Sequence, residues 1–144
     1  MNPNPPENEL NALSLLLFSV GGVCFGVDAD QVSGISVYNG ESDKDLFWFH
    51  EEMGFGGRPV EYVSPTIITI RDVVEPYRVI IDSMEEIAEF RLNEIGLLPR
   101  LLEPFTLRRG IWGVLPRKGS ITLLMDFKLF LRGIRPDRID SIAA

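Results

Sequence analysis

Three pairs of apolar segments along the chain have the length and spacing of β-hairpins. In the first pair, "LSLLLFSV" and "VCFGVD" flank Gly21-Gly22, a dipeptide suited to a two-residue turn because both positions can take a positive φ. The second pair, "TIITI" and "YRVIID", is rich in the β-branched residues that favour strands. The third pair flanks "PRKGS" between Gly110 and Asp126. Hydrophobic periodicity therefore predicts a mainly β chain.

Between and after these pairs, the pattern predicts short helical turns. "DADQ" could form a single turn ahead of the β-like "VSGISVY", and "LFWFHEEMG" reads as a strand followed by one or two helical turns that end near Gly54. Asp126 is a good N-cap for a helix of about one and a half turns over "FKLFL", with Gly133 as a good C′ residue. "EEIAEF" fits either a strand or a weak helix. Many short strands with little helix are typical of barrels and sandwiches.

Length and composition are those of a globular protein with one domain. The chain has 144 residues, of which 45% are apolar and 24% charged. Its longest apolar run is too short to cross a bilayer, and its first residues lack the basic start and apolar stretch of a secretory signal. We therefore expect a cytoplasmic protein with a disordered tail over residues 1–10 and a tail or short helix over residues 134–144. The single cysteine, Cys24, is expected to be a buried structural thiol.

The net charge of −7 argues against nucleic acid as a partner, since phosphate binding needs a basic surface. The charge is also uneven. Residues 1–95 contain 17 acidic and 5 basic side chains, a net charge of −12, whereas residues 96–144 contain 4 acidic and 9 basic ones, a net charge of +5. Either the two parts complement each other within one fold, or they provide a polar contact surface for a protein partner.

Asp82 and Asp126 each follow an apolar run, which raises the question of a catalytic carboxylate pair. Such a pair, in an enzyme or a small-molecule binder, needs both carboxylates in one cleft. The sequence also lacks the ligands of a usual zinc site, because it has one histidine, His50, and one cysteine. Acids at strand ends commonly cap turns. The sequence therefore predicts two structural caps and no catalytic residue, metal or cofactor.

Three consecutive aromatic residues, Phe47, Trp48 and Phe49, form an unusual cluster. Neighbouring side chains on a strand point to opposite faces, so the three cannot all face inward on one side. One interpretation is a strand that is buried on both faces. The other is that Trp48 is exposed for a partner.

Three segments, taken in order, resemble CheW-like domains. "LLLFSVGGVCFGVDADQVSGI" is similar to their opening strands and to a "V-D-x-x-x-V-x-x-I" pattern, matched here by Val27, Asp28, Val32 and Ile35. "YRVIIDSMEEIAEF" resembles their central strand, which ends in Val-Asp and continues as "V-x-x-V". "GIWGVLPRKGSITLLMDFKLFL" resembles their last hairpin and the "L-L-D-x-x-x-L-L" that follows it. The resemblance covers most of residues 13–131.

The resemblance implies two small, SH3-like five-stranded β-barrels packed together within residues 11–133, with a few short helices. It also implies a non-enzymatic adaptor of a bacterial chemosensory two-component pathway, which binds a CheA-type histidine kinase and a chemoreceptor. After Ile35, however, the family's usual "G-V-I-N-L-R-G" element, which helps to contact receptors, is absent. We therefore expect a reduced first barrel. The alternative is a self-associating structural or regulatory module, such as a homodimer, that has lost receptor coupling.

Apolar residues near these motifs are candidates for a partner-binding surface. They are Val32 and Ile35 after the first hairpin, and Leu129 and Phe130 after the last one. The alternative for all four is a place in the hydrophobic core. Membrane insertion is not expected.

Overall fold

The structure, a computed structural model, describes residues 12–55, 59–71, 77–98, 100 and 109–134. The predicted tail over residues 1–10 and the residues after Ile134 lie outside this part. The described strands are β1 Ala12–Val20, β2 Val23–Asp28, β3 Val32–Val37, β4 Leu46–Trp48, β5 Pro65–Ile70, β6 Arg78–Arg91, β7 Gly96–Leu97, β8 Ile111–Arg117 and β9 Ser120–Met125. The described helices are α1 Phe49–Met53 and α2 Phe127–Ile134, with 3-10 turns at Ala29–Gln31 and Leu92–Glu94.

All nine described strands belong to one hydrogen-bonded sheet with the order β3-β5-β6-β1-β2-β9-β8-β7, and β4 pairs with β6 beside this path. The three predicted hairpins are confirmed as the antiparallel pairs β1–β2, β5–β6 and β8–β9. A parallel pair, β2–β9, joins the first hairpin to the third. The mainly β class is confirmed. The strand path is open among the described residues, so the predicted pair of closed five-stranded barrels is not confirmed.

Strand β6 belongs to two parts of this sheet, one that contains β5 and one that contains β1. Its first part pairs with β5 as far as Asp82, and its second part pairs with β1 from Asp82 to Arg91. Register shifts interrupt the β1–β6 pairing near Phe18, and Ser83 has a φ of 45°. "EEIAEF" is thus part of a strand, and the prediction that the strand stops at Asp82 is wrong, because a bulge lets it continue in a new direction.

Hydrogen bonds with a segment that is distant in the sequence stabilise this bulge. Asp82 is buried, and its two carboxylate oxygens accept hydrogen bonds from the backbone N–H groups of Val63 (3.1 Å) and Ser64 (2.6 Å). The Ser83 N–H in turn donates to the carbonyl oxygen of Ser64 at 3.3 Å. These bonds offset the burial of the carboxylate and the positive φ that follows it.

The hydrophobic core lies on both faces of β1, as the apolar pattern of that strand predicts. Leu16 and Phe18 belong to the main core cluster, whereas Leu15 and Leu17 belong to a smaller cluster with Leu124 on the opposite face. All of them are almost inaccessible to solvent. Because each fully buried side chain of this size contributes roughly 1.5–3 kcal/mol, β1 is the central strand energetically as well as topologically.

The two helices end differently from each other. Helix α1 ends at Gly54, which has a φ of 74° and donates its N–H to the carbonyl oxygen of His50, as predicted for this position. Helix α2 runs through Gly133 to Ile134, so the prediction of Gly133 as the C′ residue is wrong. Phe127 and Phe130 are fully buried on its inner face, and this packing outweighs the cost of about 1 kcal/mol for an internal glycine.

The start of α2 is fixed by four hydrogen bonds. The Oδ1 atom of Asp126 accepts hydrogen bonds from the N–H groups of Lys128 (2.8 Å) and Leu129 (3.3 Å). Gln31, in the first 3-10 turn, donates its Nε2 to Asp126 Oδ1 and accepts the Phe127 N–H on its Oε1, both at 2.9 Å. The Gln31 amide therefore ties the chain after the first hairpin to the helix after the last one.

Gly110 allows the backbone to approach this helix closely, and its replacement by alanine should destabilise the fold strongly. Gly110 has a φ of 78°, and a Cβ atom there would lie 2.7 Å from Asp126 O and 2.8 Å from Phe130 Cβ. Gly22 has a similar φ of 81° but nothing within 4 Å. In chemical denaturation, Gly22→Ala should cost about 1–2 kcal/mol from backbone strain alone, and Gly110→Ala about 1–3 kcal/mol more from the contacts. Equal losses in the two variants would contradict the close approach.

Gln31→Glu should lower the free energy of unfolding by about 1–3 kcal/mol, because it removes the donor to Asp126 and places two carboxylates in contact. The double variant Gln31→Glu/Asp126→Asn restores a donor–acceptor pair with the roles exchanged, and asparagine remains a good N-cap. It should recover part of the loss in a double-mutant cycle followed by urea denaturation. Additive losses would show that the Gln31–Asp126 contact does not stabilise the fold.

Candidate functional site

The two aspartates that raised the question of catalysis satisfy separate parts of the backbone. Asp82 accepts from the segment before β5, and Asp126 accepts from Gln31 and the first turn of α2. Within the described residues, the two carboxylates share no hydrogen-bond partner. Each carboxylate receives at least two hydrogen bonds from other groups of the fold.

An apolar stripe runs along the outer strand of the sheet. Among the described residues, β3 pairs with β5 on one side, and no strand pairs with its other side. Val32 lies opposite Ile70, Ile35 opposite Ile68 and Val37 opposite Thr66, so all three point to the same face of the sheet. Val32 and Ile35 are three residues apart and share a face because the register shifts between Val32 and Gly34. We call Val32, Ile35 and Val37 the edge stripe.

Exposure increases along the edge stripe from the core outward. Val32 is half-buried and packs against the main core cluster, whereas Ile35 is 44% exposed and Val37 is 69% exposed. The sequence analysis selected Val32 and Ile35 and missed Val37. The sequence does carry a signal for Val37, because the two-residue period of a strand places it on the same face as Ile35. The edge stripe is therefore an apolar surface with one end anchored in the core.

The other two candidates, Leu129 and Phe130, lie on α2. Phe130 is fully buried, with its ring centroid 6.2 Å from that of Phe127 and 6.4 Å from that of Phe49. It occupies the core, the alternative that the sequence left open for it. Leu129 is half-buried, so contact between its side chain and a partner stays a prediction.

The three consecutive aromatics are accommodated by a change of secondary structure. Phe47 and Trp48 are half-buried on β4, and Phe49 is fully buried because it begins α1, where the alternation of a strand no longer applies. Trp48 contacts the rings of Tyr38 and Tyr62 edge-on, with centroids 5.2 Å and 4.8 Å away. Trp48 is thus neither fully buried nor isolated on the surface.

Next to Trp48, a histidine and a tyrosine form a polar pair that the sequence analysis missed. His50 Nδ1 lies 2.9 Å from the Tyr62 hydroxyl oxygen, which also accepts the His50 backbone N–H at 3.3 Å. Burial raises the pKa of Tyr62 to about 12, so its phenol stays protonated at neutral pH. The pair links α1 to the segment before β5, twelve residues away, and short sequence patterns carry no signal for it.

The loop between β3 and β4 is held in place by an arginine. Residues 38–45 contain no strand, and the guanidinium of Arg78 binds this loop through Asp45 (3.0 Å) and Asp43 (2.7 Å). The hydrogen bonds that Arg78 donates to these two carboxylates raise its pKa further above its usual range. The ion pairs attach the loop to the start of β6, beside the parallel β4 strand.

Other kinds of site find little support in the described part of the chain. No three side chains of His, Cys, Asp and Glu come together there in a way that could hold a metal ion. No helix in the same part is long and apolar enough to span a membrane. Cys24 is half-buried, in contrast to the predicted buried thiol, with its Sγ 4.0 Å from Glu85 Oε1.

Comparison with known proteins identifies the architecture. No protein-family model and no curated protein sequence matches the chain. Among solved structures, the chain is similar to the scaffolding protein TtCheW from Thermoanaerobacter tengcongensis. The match has a TM-score of 0.59 and 15% sequence identity, and it covers 79% of this chain and 88% of that one. The chain therefore has a CheW-like fold.

Proposed function

We propose that this chain is a non-enzymatic adaptor of a bacterial chemosensory pathway, which acts by reversible binding to a CheA-type histidine kinase. The observation that carries the proposal is the edge stripe on a CheW-like fold. The similar solved structure is that of a scaffolding protein, which agrees with a binding role. The use of the two aspartates as backbone acceptors supports a role without catalysis.

Strand β3 has the properties of a binding edge. Native sheets usually protect their outer strands with charged residues, proline or a cover, because unpaired N–H and C=O groups attract other strands. The sequence of β3, "VSGISV", contains no charge and no proline. Its exposed apolar residues, Ile35 and Val37, add a surface that gains free energy when a partner covers it. A protein partner can therefore combine backbone pairing with apolar contact at this edge.

A second candidate function is a self-associating module without receptor coupling. It is favoured by the loop of residues 38–45, which has no strand where the family's receptor-contacting element is expected. The same β3 edge, which has no strand on its outer side among the described residues, would serve as the contact between two copies, since an antiparallel pair of identical edge strands is self-complementary. Because the loop of residues 38–45 has no strand at that position, a chemoreceptor is a less favoured partner than a kinase.

Ile35→Ala should weaken binding to the kinase about tenfold, because it truncates an exposed apolar contact at the proposed interface. The measurement is calorimetric titration of the purified protein with the regulatory domain of each CheA-type kinase from the same organism. Ile121→Ala is the matched control, since Ile121 is 59% exposed on β9, away from the edge stripe. Both variants should keep the thermal stability of the parent chain.

Two outcomes would contradict the adaptor proposal. If neither the parent chain nor any variant binds a kinase at micromolar concentration, kinase coupling is wrong, and concentration-dependent light scattering then decides on self-association. If Ile35→Ala and Ile121→Ala weaken binding equally, the edge stripe is not the docking surface. A large loss of thermal stability in Ile35→Ala would instead place Ile35 in the core.

A further inference from the structure

A pocket of about 390 Å³ opens where the first hairpin meets α1 and the third hairpin. Its buried lining residues are Phe25 of β2, Met53 of α1 and Ile111 of β8. Sites for small molecules commonly have volumes of roughly 300–1,000 Å³ and a mostly apolar lining. The pocket therefore has the size and the lining of a small-molecule site.

The rim of the pocket is built by the tip of the first hairpin. A Cβ atom on Gly21 would lie 3.2 Å from the ring of Phe55 and 3.6 Å from Val60, so this turn packs directly against the residues after α1. Phe55 and Val60 are half-buried and line the opening together with Val23 of β2. The described residues thus give the opening a mostly apolar rim.

One cation stands at this rim. Arg109 lines the pocket and is exposed, and its NH1 atom donates hydrogen bonds to the carbonyl oxygens of Met53 (3.1 Å) and Gly54 (3.4 Å). These bonds hold the guanidinium in place beside Gly54. Among the described residues, no carboxylate forms an ion pair with Arg109. Its charge is therefore available at the edge of an otherwise apolar pocket.

We propose that this pocket binds a small amphipathic monocarboxylate, such as a medium-chain fatty acid. The apolar tail would lie against Phe25, Met53 and Ile111, and the carboxylate would bind the free donors of Arg109. A guanidinium has five N–H donors in a planar fork that matches a carboxylate, and one nitrogen of this fork is already used as an anchor. A single cation beside an apolar wall favours a ligand that has one negative charge and an apolar tail.

The pocket is separate from the surface of the proposed adaptor function. Its lining residues come from the first hairpin, α1 and its following loop, and the third hairpin, whereas the edge stripe lies on β3. Loss of kinase binding in Ile35→Ala and loss of carboxylate binding in a pocket variant are therefore distinguishable. The ligand proposal does not depend on the identity of the protein partner.

The first experiment is a titration of the full chain with octanoate, observed through isotope-labelled methionine methyl groups by NMR. Met53 lines the pocket, whereas Met84 is exposed on β6 and provides an internal reference. We expect a saturable shift of the Met53 signal with no change at Met84. No shift at Met53 at millimolar octanoate, or equal shifts at both methionines, would overturn the proposal.

The second experiment tests the charge. Arg109→Gln should weaken octanoate binding about fivefold, since an exposed ion pair contributes modestly to affinity, and added salt should weaken binding to the parent chain. Arg117→Gln is the control, because Arg117 binds Glu86 outside the pocket. Octylammonium, with the opposite charge, should bind more weakly than octanoate. If octylammonium binds equally well, or both arginine variants behave alike, the carboxylate specificity is wrong.

Discussion

The fold depends on a single strand that changes direction without ending. Strand β6 continues for 14 residues and pairs with β5 before the bulge and with β1 after it. The bulge places Ser83 at a positive φ, which costs a non-glycine residue roughly 1–2 kcal/mol. Two hydrogen bonds to the Asp82 carboxylate and one from the Ser83 N–H offset this cost. These hydrogen bonds therefore stabilise the bulge through which one strand pairs with both β5 and β1.

The centre of the sheet and its β3 end differ in their exposure to solvent. The centre, around β1, is buried on both faces and contributes to both core clusters. The β3 end has one paired edge among the described residues and carries Ile35 and Val37 into solvent. Ile35 and Val37 share a face through the ordinary period of the strand, and the register shift between Val32 and Gly34 places Val32 on that face as well. A small irregularity in an outer strand thus connects the exposed part of the edge stripe to the core.

The sequence predicted features that depend on a few neighbouring residues. The Gly21-Gly22 turn, the end of α1 at Gly54 and the three hairpins follow from turn chemistry and from a period of two, which are local properties. The continuation of β6 past Asp82 was not predictable, because the donors that satisfy this carboxylate lie 18 and 19 residues away. The Gln31–Asp126 contact spans 95 residues and gives no local signal. Long-range polar contacts of this kind require the folded chain.

The buried Asp82 also connects the two proposed binding surfaces. Val63 and Ser64, which it binds, belong to the short segment between the pocket rim at Val60 and the start of β5. Strand β5 is in turn the only described neighbour of β3 along the path, and so it carries the edge stripe. One carboxylate therefore holds the segment that connects the pocket rim to strand β5. Asp82, which the sequence predicts to be a structural cap, thus supports the part of the fold between the two surfaces proposed to bind other molecules.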